Sequence, residues 1–172
     1  MIRSTSALLA FCTLTAMASL GCASNDGTST AAPLPGDPTF VRDPALDVTV
    51  ESAAGSTKSH SQGQSCMPCH QAHGPGPGRF TVAGTLHDSS GKPVTAGTLT
   101  LSAAPSGPAL ATVSVDALGN FYTTKDVGLD AKSLFVSVEG ANGAGKTAMP
   151  FPTMSGACNH CHTGSAGVML KP

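Results

Sequence analysis

Two five-residue patterns in this chain join a pair of thiols to an imidazole: Cys66-Met67-Pro68-Cys69-His70 and Cys158-Asn159-His160-Cys161-His162. Cysteines at i and i+3, with histidine at i+4, lie on one face of a single helical turn. Such a face can bind the two vinyl groups of a haem as thioethers and set the imidazole beneath its iron, which is the attachment pattern of c-type haem. Chance would produce the pattern on the order of 0.01 times in a chain of this composition, so a pair is a strong signal. Filled, the two sites would carry two covalent haem c groups. Cys66, Cys69, Cys158 and Cys161 would attach them, with His70 and His162 as proximal iron ligands.

Other chemistries compete for the same residues. Two Cys-x-x-Cys pairs are also a zinc-site pattern. A thioredoxin-like redox motif needs a βαβ context, and none surrounds either pair. A disulfide across i and i+3 is strained. No carboxylate pair or Ser/His/Asp set accompanies the motifs. Gly140-Ala141-Asn142-Gly143-Ala144-Gly145-Lys146-Thr147 ends like a phosphate loop, but its first glycine is one place early and it sits in a β-rich stretch. It reads as a hairpin loop.

Each iron also needs a sixth ligand or an open position. The chain has six histidines. His160 lies between two haem-binding cysteines, where its side chain points away from its own iron. His60, in a polar loop before the first motif, is a candidate, as is His87 at a strand end beside Asp88, which can orient it. Met149 and Met154 flank Pro150-Phe151-Pro152 before the second motif, and a methionine ligand would raise the potential. Each has a plain alternative: an exposed or turn-capping histidine, or a methionine packed in the core. The first motif extends as Ser65-Cys66-Met67-Pro68-Cys69-His70-Gln71-Ala72-His73-Gly74. This resembles the Cys-x-x-Cys-His-x-x-His-Gly segments of multihaem c-type cytochromes. The resemblance implies that His73 ligates a neighbouring haem.

Cysteine usage ties these motifs to a compartment. The first 21 residues read as an export signal: Arg3 is the lone charge, and the apolar stretch from Ala7 to Leu20 is too short and too polar to span a bilayer. Ser19-Leu20-Gly21-Cys22 resembles a bacterial lipoprotein box, which implies lipidation at Cys22. An ordinary secretory cleavage nearby is the alternative. With Cys12 removed in the signal and Cys22 lipidated, all of the six cysteines are assigned, and none remains for a structural disulfide.

Composition narrows the function further. Charged residues make up 11% of the 172 and the net charge is −1, which argues against a nucleic-acid partner. With 20 glycines and 13 prolines, long helices are disfavoured. Residues 22–39 read as a flexible small-residue tether. Residues 40–78 carry the first motif, with Leu46 to Val50 as a possible short strand and the Gly74-Pro75-Gly76-Pro77-Gly78 run as a separator. Residues 79–153 show short alternating runs with turn signals between them, the pattern of an antiparallel β-sandwich of six or seven strands. Residues 154–172 carry the second motif.

The middle of the chain resembles the carboxypeptidase regulatory-like, transthyretin-like β-sandwich family. The matching residues are Val82-Ala83-Gly84-Thr85-Leu86, Asp88 to Gly91, Pro93-Val94, Gly97, and Asp116-Ala117-Leu118-Gly119-Asn120-Phe121. The resemblance implies a structural or interaction module over about residues 80–140, without catalytic residues of its own. An even number of strands would return the chain to the side where it started and place the two motifs together. An odd number would place them at opposite ends.

The expected protein is mainly β: a small antiparallel sandwich flanked by two short helical or loop segments for haem attachment. The expected function is one-electron transfer between redox partner proteins of the cell envelope, from a lipid-anchored exported chain. Two other functions are compatible with the residues: a haem enzyme with an open axial site acting on peroxide or a small oxide, or a surface binding module with an accessory haem relay.

Overall fold

Alternating apolar residues build two sheets. The computed structural model describes residues 36–129, 131–141 and 145–162, with the backbone of a short strand at 168–169. Among these residues there are seven strands: β1 (Val82–His87), β2 (Gly97–Ser102), β3 (Ala109–Val115), β4 (Asn120–Thr123), β5 (Phe135–Gly140), β6 (Lys146–Ala148) and β7 (Val168–Met169). One short helix, α1 (Cys158–Cys161), coincides with the second motif. The fold is therefore mainly β, as the strand-length alternation predicts.

One sheet has the order β4-β1-β7 and the other β3-β2-β5-β6. Val82, Leu86 and Phe121 from the first meet Leu99, Leu101, Val113, Val115, Val136 and Val138 from the second in one apolar core. These residues recur at every second position, so a single face of each strand points inward. Strand β1 is the exception: all six of its residues are buried, because both of its faces are covered.

The turns are set by local chemistry. Asp116, itself fully buried, accepts from the backbone N–H groups of Leu118 (2.9 Å) and Asn120 (3.0 Å). Gly119 occupies the left-handed region at φ 84°, where an L side chain is strained. That turn passes the chain from β3 in one sheet to β4 in the other. The segment resembling a phosphate loop lies between β5 and β6, which pair antiparallel, with Gly140 N–H donating to Gly145 O at 3.0 Å.

Two features differ from the sequence reading. Sheet β4-β1-β7 is mixed, because β7 runs parallel to β1 through Leu86↔Val168 and His87↔Met169. The chain meets that edge of β1 just before the second motif, where Ala157 bridges Ala83 in parallel, and β7 pairs there in the same direction. The strand expected at Leu46 to Val50 is also replaced. Pro44–Leu46 forms a 3-10 turn capped by the Asp43 carboxylate, which accepts from Ala45 N–H at 2.9 Å. Proline at the first position suits a helical turn and cannot donate to a ladder. Only Glu51 makes a bridge there, to Thr123.

Candidate haem-attachment site

Both motifs form the turn that their spacing predicts. In the first, His70 N–H donates to Cys66 O at 3.0 Å; in the second, His162 N–H donates to Cys158 O at 2.9 Å. Each bond closes one α-type turn, placing the two cysteines and the histidine on a common face.

Among the described residues six strands separate the motifs, and the even count returns the chain to its starting edge. The second motif docks on the edge of β1 that β4 leaves open. Ala83 N–H donates to Gly156 O at 2.9 Å, and Thr85 N–H donates to the Asn159 side-chain oxygen at 3.0 Å. The amide of Asn159 donates in turn to Gln64 O at 2.9 Å, two residues before Cys66, and to Thr85 Oγ1 at 3.1 Å. One residue inside the second motif thus ties it both to the sheet and to the approach of the first.

That tie belongs to a closed polar network. Thr85 Oγ1 accepts from Gly63 N–H (2.8 Å) and donates to Asn120 Oδ1 (2.7 Å). The Asn120 amide then donates to Ser59 Oγ (2.9 Å) and His60 O (3.1 Å). Thr85, Asn120 and Asn159 are at most 3% exposed, and every side-chain donor of the two amides has a partner. A buried network satisfied in this way fixes its members in one arrangement.

The first motif is built around its histidine. His70 is 6% exposed, and its ring stacks on Phe80 with centroids 4.0 Å apart and planes at 5°. Phe80 stacks in turn on Tyr122 at 4.9 Å. Nδ1 of His70 lies 2.9 Å from Pro77 O. As a donor to that carbonyl, Nδ1 carries the proton and Nε2 keeps its lone pair for a metal. Burial pushes the His70 pKa down, partly offset by the bond to Pro77, which favours the neutral ligating form.

The Gly/Pro run after this motif is the cover of His70, not a separator. A Cβ on Gly76 would stand 2.7 to 2.9 Å from three atoms of the imidazole. Gly76 N–H donates to Cys69 O at 2.7 Å, and a Cβ on Gly74 would fall 2.2 Å from that same carbonyl oxygen. Only glycine lets the loop lie this close. Arg42, buried, holds the loop from behind: it donates to Gly74 O and to Leu46 O (2.8 Å) and pairs with Asp47 at 2.7 Å. Arg79 engages the same carboxylate. These two guanidiniums lower the Asp47 pKa to about 2.

The second motif is built around a cysteine. Cys158 packs against the apolar core, and a Cβ on Gly84 would lie 2.8 Å from Cys158 Cβ and 2.5 Å from Phe121. Burial pushes the Cys158 thiol up to about 12, with Cys66 and Cys161 adding to the rise. Cys66 is raised as well, first by burial and then by Cys69. Cys69 and Cys161 are exposed, and all four described cysteines are free. Among the described residues, no three His, Cys, Asp or Glu side chains converge into a ready metal cage. The residues present fit a covalently attached haem: in each motif two unpaired thiols on one turn, and in the first an imidazole whose Nε2 is left uncommitted by the Nδ1 contact to Pro77 O.

The remaining ligand candidates are spread out. The His60 ring lies 5.9 Å from the His70 ring, centre to centre. His73 is exposed, with Nδ1 3.5 Å from Phe40 O and its carbonyl accepting from Gly36 N–H at 2.7 Å. His87 is 7% exposed with Nδ1 buried and without a hydrogen-bond partner. Met149 packs against the core and Met154 is 75% exposed. Cys22 and the export segment lie outside the described residues. Sequence reasoning passed over Asn159, Thr85, Asn120, Phe80 and Gly76. Their contacts are made at long range, and only the glycine-rich character of residues 74–78 hinted at a close approach. Comparison with protein families, with curated proteins and with solved structures returned no match.

Proposed function

We propose that this chain is an exported, lipid-anchored dihaem c-type cytochrome that passes single electrons between redox partner proteins of the cell envelope. The observation that carries the reading is the Asn159 bridge. Its 2.9 Å bond to Gln64 O and 3.0 Å bond from Thr85 N–H hold two Cys-x-x-Cys-His turns side by side. Two attachment sites clamped together suit a relay; two sites at opposite ends of a sandwich would not.

When bound, haem c supplies a one-electron Fe(III)/Fe(II) couple, filled from a donor protein and emptied to an acceptor. The chain's own residues do the rest. Cys66, Cys69, Cys158 and Cys161 hold the groups covalently. His70 and His162 provide proximal nitrogens, and Pro77 O orients the first through Nδ1. The Phe80 and Tyr122 rings exclude water from the back of His70. Lipidation at Cys22 would keep the assembly at the membrane.

The test is expression with haem-maturation machinery, followed by intact mass, a haem-to-protein ratio and a reductive titration. Two haems per chain, each taking up one electron, is the expected result. A protein with bound zinc and no haem would refute it.

A further inference from the structure

Resting on the dihaem reading, we propose that His60 is the second axial ligand of the iron held by His70. Both faces of the His70 ring are taken, by Phe80 at 4.0 Å on one side and by the backbone at Gly76 on the other. Its Nδ1 edge is taken by Pro77 O. With these positions filled, the Nε2 edge is the side left for a ligand, and the His60 ring centre lies 5.9 Å from that of His70 with the planes at 34°. Two imidazoles on opposite sides of one metal, each with a metal–nitrogen bond of about 2 Å, have ring centres about 6 Å apart. The spacing already present is that of a ligand pair.

The loop that carries His60 is built to hold this position. Asn120 grips Ser59 and His60 O, Thr85 grips Gly63, and Asn159 grips Gln64. Ser61 adopts φ 53°, a left-handed conformation that costs a serine energy. Strain of this kind persists where the surroundings over-determine it, and it gathers at functional positions. The His60 side chain itself is exposed and supports no core contact. Ligation needs only the imidazole lone pair donated to iron, so no electron or co-reactant is consumed.

The test uses the haem-loaded wild type, His60→Ala and His60→Met, read by ferric electron paramagnetic resonance, visible spectra and carbon monoxide binding after reduction. Relative to wild type, His60→Ala should turn one haem of the two from low-spin to high-spin, open it to carbon monoxide, and recover on adding imidazole. His60→Met should keep that haem low-spin and raise its potential. If His60→Ala fails to load fully, His60→Met decides through the same potential shift. Unaltered spectra in both variants, with two haems bound, would overturn the assignment while leaving the dihaem reading in place; so would conversion by His73→Ala instead. A wild-type chain that takes up no haem would overturn the dihaem reading and this assignment with it.

Discussion

The two Cys-x-x-Cys-His turns share a hydrogen bond and a spacing, yet the protein buries opposite ends of them. The first buries its histidine: His70 is 6% exposed, clamped between Phe80 and the Gly76 loop, while Cys69 stays in solvent. The second buries the residue after its first cysteine, Asn159, and packs the half-buried Cys158 against the core, while His162 is also half-buried. The first site is organised around its imidazole by loops that precede and follow it. The second is organised as an extension of β1, its peptide and amide groups taking hydrogen bonds that a further strand would otherwise make. Local sequence sets the turn; the surface on which the turn lands decides which of its residues becomes structural.

The sharpest way to break this comparison is at the residue after the first cysteine of each motif. Asn159→Leu removes the partners of Thr85 N–H and Gln64 O in a buried setting and should cost about 3 kcal/mol in urea denaturation. Met67→Leu, at the matching place in the first motif, should cost under about 1 kcal/mol. Equal losses would mean that the two turns are docked alike.

Added methyl groups should separate the sites in the same manner. Gly84→Ala places a Cβ against Phe121 and Cys158 and should cost about 2 kcal/mol through overpacking. In the unloaded chain it should also speed alkylation of Cys158, which burial otherwise protects, and leave Cys69 unchanged. Mass spectrometry after timed labelling reads both. Faster labelling of Cys69 alone would contradict the placement of Cys158 against β1.

A smaller effect is expected from Phe80→Leu, which removes the ring stacked on His70. The loss should be about 1 kcal/mol. Because burial is what lowers the His70 pKa, partial exposure should raise it towards the ordinary histidine value, as followed by NMR titration of the unloaded chain. A pKa that stays put or falls would show that the stack is not what buries the ring.

The mildest test concerns the clamp behind the first site. The Asp47 pKa, ordinarily 3.8, is lowered to about 2 by Arg79 and Arg42. The unfolded chain therefore takes up this proton before the folded chain does. Asp47's contribution is complete above about pH 3.8 and is lost as pH falls through about 2. Asp47→Asn should flatten that part of the acid-unfolding curve. An acid limb of unchanged slope would count against the clamp.

Much of this architecture is legible in the residues. Alternation at Leu99/Leu101, Val113/Val115 and Val136/Val138 predicts strands with one buried face, and the Asp116 to Gly119 turn announces itself by residue type. Strand β1 is legible from Val82, Gly84 and Leu86 with His87 at its end, but its burial on both faces is not, because that comes from Cys158 and Gly63 packing against it. The Leu46 stretch misleads, because a proline two residues earlier commits the chain to a helical turn instead.

The sequence alone determined the two Cys-x-x-Cys-His turns, the inward faces of the strands and the near-neutral, charge-poor character of the chain. Each follows from interactions between residues a few positions apart. Tertiary structure alone decided that the turns lie together, that Asn159 joins them, that the Gly/Pro run covers His70, and that the His60 ring comes within 5.9 Å of the His70 ring, centre to centre. Those are contacts between distant segments, governed by sheet order and strand count. No local spacing encodes them, because their energy comes from a hydrogen bond or a close approach that exists only once the sheets have packed.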